Sequence, residues 1–160
     1  MTSRVARTLR TCCVCAAWFA SVAVAAPSEP DQAGSWPLAQ QHWIQNCMGC
    51  HTATGAGIPG KVPPLANSLG YFEGVPGGRE YLTRVPGASN SALTDQELAD
   101  VLNWLLTTMN LNALPPGFKP YTAAEVAVHR RPALADVAGT RAALIRLLRE
   151  RGVTAVAEHY

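Results

Sequence analysis

The sequence predicts an all-α domain on three observations: a capped apolar stripe of helical period, short segments punctuated by Gly and Pro before it, and no alternating run long enough for a strand. Of its 160 residues, 48% are hydrophobic and 15% charged. That balance suits one globular domain with an appendage and excludes a disordered or fibrous chain.

The amino terminus reads as a targeting segment. Arg4, Arg7 and Arg10 precede an uncharged run, residues 12–26, that ends in the small residues Ala23, Val24 and Ala25. This is the pattern of a secretory signal peptide, residues 1–25, cut after Ala25. The run falls short of the roughly 20 apolar residues a spanning helix needs. The remaining chain has ten cations against eleven acids, so the formal charge of +2 belongs to the segment removed. Lys occurs only at 61 and 119, which leaves no basic stripe for nucleic acid. The expectation is a periplasmic protein with no membrane span in its mature chain.

Three of the five cysteines leave with the signal, and the two that stay, Cys47 and Cys50, lie in one motif, Cys47-Met48-Gly49-Cys50-His51. This is the C-x-x-C-H pattern of covalent haem attachment. Two thiols three positions apart can each add to one porphyrin vinyl group, and the next residue then lies under the iron as an axial imidazole. A redox pair, half a zinc site or an accident would produce the same letters. A zinc site needs two more ligands, and the mature chain offers no further Cys and only the scattered His42, His129 and His159. A thioredoxin-like pair wants a βαβ setting that the sequence lacks.

The elements after the motif follow from local signals. Residues 55–60 (Gly-Ala-Gly-Ile-Pro-Gly) form a loop, and residues 64–71 and 78–85 two short helices split by a turn at 73–77. Thr94-Asp95-Gln96-Glu97 is a capping box that opens a helix carrying Leu98, Val101, Leu102, Leu105, Leu106 and Met109 at three- and four-residue spacing. Residues 114–120 make a proline-stiffened connector. A second capping box at Thr122–Glu125 starts a short helix that Pro132 stops, and a longer helix over 137–151 ends at Gly152.

Residues 36–108 resemble the class I cytochromes c. An amphipathic helix leads into the haem motif, and Val62-Pro63-Pro64-Leu65 is similar to the family's proline-containing crevice segment. The resemblance implies a class I cytochrome c-like helical domain around one covalently bound haem c, with Cys47 and Cys50 attached to it and His51 as the proximal iron ligand. It also implies a backbone carbonyl near Pro64 accepting from the second His51 ring nitrogen, Leu65 on the porphyrin, and a final helix whose Val101, Trp104 and Leu105 meet Trp43 and Ile44. The domain would occupy residues 26–120, with a helical C-terminal extension over 121–160.

One departure bears on function. The family places a methionine between the short central helices and the last helix, yet residues 84–93 contain neither Met nor His. Met48 lies between the two cysteines, which leaves Met109 as the methionine candidate for the metal, although it falls on the apolar stripe as a core residue would. His129, Lys61 and Asn90 are weaker candidates, His42 reads as surface or support, and an open sixth position is a further alternative. Axial ligation is one of the main levers on haem reactivity. The resemblance implies an electron carrier, not an enzyme, with redox partner proteins: a periplasmic dehydrogenase on one side and a downstream acceptor on the other. The alternatives are a gas-binding haem protein with an open distal site and a haem subunit of a larger oxidoreductase. Peroxide chemistry wants a distal acid–base group, and only Arg79 and Arg84 lie near the right stretch.

The extension is basic where the domain is acidic. Residues 26–120 hold four cations and seven acids, and residues 121–160 six arginines and four acids. The tail is therefore expected either to dock on its own domain or to guide the protein to an acidic partner.

Overall fold

A computed structural model describes residues 32–159, with side chains from Trp36 onward. The expected signal segment, 1–25, lies outside the described residues. The chain runs through α1 (Gln32–Asn46), α2 (Met48–His51), α3 (Leu69–Phe72), α4 (Gly78–Arg84), α5 (Pro86–Ser89), α6 (Asp95–Met109), a single 3-10 turn (Leu111–Ala113), α7 (Ala123–His129) and α8 (Val137–Glu150). Among the described residues there is no strand, only an isolated antiparallel bridge between Ile58 and Val62. The fold is all-α as the sequence predicts. None of these helices is long and apolar enough to cross a membrane.

The centre of the fold is α6, and its start is set locally. The Thr94 hydroxyl accepts from the Glu97 N–H at 3.2 Å while the Glu97 carboxylate accepts from the Thr94 N–H at 2.7 Å, so two otherwise orphaned donors are satisfied. The apolar stripe then buries Leu98, Val101, Leu102 and Leu105. Crossing it is α1, whose Trp43 is 1% exposed and meets Trp104 with ring centroids 6.2 Å apart. Ile44, expected to join that crossing, is instead exposed. Neighbouring side chains on a helix diverge by about 100°, so with Trp43 turned fully inward Ile44 is turned out.

The first of the two short helices is also shorter than expected. Residues 64–68 are irregular, and the helix covers only Leu69–Phe72. Pro63 and Pro64 bring no N–H to a helical ladder, the Leu65 N–H donates to the Gly55 carbonyl at 2.7 Å, and Asn67 takes a left-handed φ of 53°. The buried Asn110 closes the gap: its Oδ1 accepts from the N–H groups of Ser68 and Gly70, and its Nδ2 donates to the Leu105 carbonyl.

α6 is buried on a second face as well, and the covering comes from the tail. Ala99, Asn103 and Leu106 are all buried, and α7 lies against α6 with Val126 at 0% exposure. Asn103 grips the incoming chain with both ends of its amide, donating to the Tyr121 carbonyl at 2.9 Å and accepting from the Tyr121 N–H at 2.7 Å. Tyr121, Val126, Leu144, Ile145, Leu148 and Val156 share one apolar core with α1 and α6. The tail docks on its own domain.

Charge fastens the same seam. Arg79 of α4 makes a two-pronged contact with Glu125 of α7 (2.7 and 2.8 Å), reaches Glu73 at 2.5 Å, and stands 4.0 Å over the Tyr121 ring. The Arg79 hydrogen bonds, more than any other cause, hold the Glu125 carboxyl below its ordinary value of 4.5. A lowered folded-state value means that this contribution to stability is complete above the ordinary carboxylate range and is lost as pH falls through the folded value. Glu73 has the opposite sign, because burial raises it and its protonation in acid favours the folded state. Glu125→Gln removes the first effect and takes from Glu73 the smallest of its causes, the repulsion from Glu125, leaving its burial in place. The difference in melting temperature between wild type and Glu125→Gln is therefore expected to shrink as pH is lowered below about 4.5; a pH-independent difference would count against the assignment.

Candidate functional site

α1 ends where the cysteine motif begins, and a single further helical turn presents it. The Cys47 N–H donates to the Trp43 carbonyl at 2.9 Å, and the N–H groups of Cys50 and His51 both donate to the Cys47 carbonyl, at 3.2 and 3.0 Å. Residues three apart on a helix share a side, so the two thiols are neighbours and His51 follows directly. Both cysteines are free; Cys50 is exposed and Cys47 partly covered. Burial first, and the neighbouring Cys50 second, push the Cys47 thiol up to about 11, so it stays protonated at neutral pH. Among the described residues no three His, Cys, Asp or Glu side chains group so as to hold a metal ion.

The His51 ring is held from two directions. Its Nδ1 lies 3.2 Å from the Pro63 carbonyl, and its ring centroid is 6.2 Å from that of Trp43. A carbonyl can only accept, so Nδ1 carries the proton and the lone pair of the neutral ring is on Nε2. Burial, the larger influence, holds the imidazole below its ordinary value, against a smaller upward effect from Pro63. The loop that delivers Pro63 depends on Gly57, whose N–H donates to the His51 carbonyl at 3.0 Å. Gly57 has a φ of 72°, and a Cβ there would run into the carbonyls of Val62 and Pro63. Glycine is the residue that permits both the backbone angle and the close approach.

Cys47, Cys50 and His51 open onto a cleft of about 350 Å³. Pro64 and Leu65 line it beside Pro63, and Trp43, Val101, Leu102 and Leu105 bring the walls of α1 and α6. Its surface is mainly apolar, and no buried side-chain polar atom among the described residues lacks a hydrogen-bond partner. Paired thiols, a nitrogen lone pair and an apolar cradle together form a donor set that fits a flat, apolar, iron-centred macrocycle fixed by thioether bonds.

The sequence foresaw one side of this cleft and missed the others. Val85, Gly87, Ala88, Ser91 and Leu93 line it from the stretch notable in sequence only for lacking Met and His. Val137 and Arg141 of α8 also line it. Arg141 is 5% exposed and donates to the carbonyls of Ala157 and Glu158, both at 2.8 Å. Its sequence signal was a cation standing at a stripe position, three and four residues before Leu144 and Ile145.

Met109 is not brought to the cleft. Its sulfur fills the space that a side chain on Gly55 would need, 3.1 Å from that Cβ position, and its carbonyl accepts from the Asn67 N–H at 2.9 Å. Both contacts turn it onto the 55–67 loop, as the apolar stripe of α6 implies. His129 is half-buried at the end of α7. His42 lies 3.5 Å from Glu97. Neither these two nor His159 or Asn90 line the cleft, whereas Lys61 does so from the His51 loop.

Residues 38–109 match the model of the Cytochrome c family. The chain is similar to cytochrome c-552 of Thermus thermophilus, with 39% identity over 98 residues, covering 50% of this chain and 75% of that protein. It is equally similar, again 39% identical over 98 residues, to a second cytochrome c-552 from a further strain of Thermus thermophilus, covering 50% of this chain and 66% of that one.

Proposed function

Because the chain belongs to the cytochrome c family, an electron-transfer family with covalently bound haem c, we propose that it is an exported one-electron carrier between a periplasmic dehydrogenase and a downstream acceptor. Cys47 and Cys50 would hold the group by thioether bonds, His51 would offer Nε2 to its iron, and Pro64 and Leu65 would lie against it. The bound haem supplies an iron that changes by one electron. The protein's part is to keep the surroundings of that change fixed. The Pro63 carbonyl sets the His51 tautomer and orientation, and the apolar walls from α1 and α6 exclude water. Cys50 is exposed, so a partner can approach the attachment edge without any opening of the fold.

The observation that carries this reading is the C-x-x-C-H turn at the mouth of an apolar cleft, with its imidazole already oriented. Voltammetry of the purified holoprotein tests it: a reversible one-electron couple is expected, and a holoprotein with no reversible couple would refute it. Amino-terminal sequencing of the same material tests export, with Ala26 expected as the first residue; retention of residues 1–25 would overturn that part.

A further inference from the structure

We propose that the second axial position over this cleft is a binding site for a small neutral diatomic molecule, of the carbon monoxide and nitric oxide class, and not a place filled by a protein side chain. The inference rests on the reading of His51 as the proximal ligand. Among the described residues, the cleft lining contains one imidazole, His51, no thioether, and one amine, Lys61, which comes from the loop whose Pro63 carbonyl supports His51. Residues 26–35, which precede the described side chains in an exported chain, contain no Met, His, Lys or Cys.

The stretch where a ligand would normally arise is a built wall. Residues 85–93 put small and apolar groups into the cleft, Val85, Gly87, Ala88, Ser91 and Leu93. Arg130 holds that wall from behind. Its guanidinium donates to the carbonyls of Leu93 (2.6 Å), Ser91 (2.8 Å) and Ser89 (3.2 Å), while the Ser89 hydroxyl donates to the Arg130 carbonyl at 2.5 Å. The Leu134 N–H adds a bond to the Arg84 carbonyl at 2.9 Å. A segment tied at both ends and in the middle does not swing to bring a distant ligand in. The Met109 sulfur packs against Gly55, and His129 does not line the cleft.

The wall also selects the kind of molecule. The Ser91 hydroxyl is occupied between the Ala88 carbonyl and Arg130. No carboxylate or second imidazole lines the cleft, and of its two cations Lys61 comes from the loop that carries Pro63 while the Arg141 guanidinium donates to the carbonyls of Ala157 and Glu158. Gly87, Ala88 and Ser91 leave room for a small guest, and the apolar neighbours favour an uncharged one.

The test uses full holoprotein reduced with dithionite, wild type and Met109→Leu, titrated with carbon monoxide and read in the Soret band. A pyridine haemochrome assay on the same samples verifies covalent haem. Saturable carbon monoxide binding by a high-spin ferrous form is expected, unchanged in Met109→Leu. A low-spin ferrous spectrum indifferent to the gas overturns the proposal, as does a carbon monoxide response that appears only when Met109 is replaced. If covalent haem itself is missing, the proposed function falls before this inference is reached; normal haem with no gas binding sinks the inference alone.

Discussion

Replacing Cys47 or Cys50 with alanine is expected to leave at most one thioether bond and little stable holoprotein, and replacing both to leave none. The reason lies in the core as much as in the linkage. The cleft beside the two thiols measures about 350 Å³ and is walled by Trp43, Val101, Leu102 and Leu105. At about 24 cal/mol per Å³ a sealed void of that size costs on the order of 8 kcal/mol, and the opening to solvent makes this a ceiling. Typical domains are stable by only about 5–15 kcal/mol. A chain that cannot retain its central group therefore forfeits much of its margin. Haem per polypeptide by pyridine haemochrome, with yield of folded protein beside it, measures the effect. Normal haem content in both single variants would refute the attachment assignment.

Arg130→Ala is expected to destabilise the holoprotein by about 3–5 kcal/mol, because several backbone carbonyls lose their donor at once. Arg130 is 2% exposed, and besides the carbonyls of residues 89–93 it reaches the Asp95 carboxylate at 3.1 Å. Truncation leaves several of these acceptors without their donor, and each unsatisfied buried group costs about 1–3 kcal/mol. Arg130→Lys is expected to recover only part of the loss, since an ammonium has three donors in no fixed fork. Denaturant unfolding followed by far-ultraviolet circular dichroism gives the comparison. A loss below about 1 kcal/mol would place Arg130 with ordinary exposed arginines.

What the sequence made legible was local or chemically contiguous. The Thr94 and Thr122 caps, the α6 stripe and the extents of α4 and α8 rest on signals within a turn or two of the residues concerned. The haem motif is legible because bond chemistry demands its order and spacing. Asn103, Asn110 and Arg130 were not legible, since their partners lie between 5 and 42 residues away and a buried Asn or Arg is written in the same letters as an exposed one. The second buried face of α6 was hidden for a related reason: Ala99 and Asn103 carry little hydrophobic signal, and only the docked tail shows them to be core. The far walls of the cleft, from 85–93 and from α8, were read as a missing ligand and as an appendage because nothing in their own residues announces a shared cavity.

The placement of Val137 and Arg141 in the cleft wall has a consequence for assembly. Synthesis runs from the cysteine motif towards α8, so the motif is made first. Until those last turns arrive, the pocket stands open on the side they will close, and a bulky, flat group can be loaded and its two covalent bonds made without any part of the fold having to part. Arrival of Val137 and Arg141 then closes that side of the cleft. The order of the two elements along the chain, cysteine motif before α8, is what lets loading come before closure.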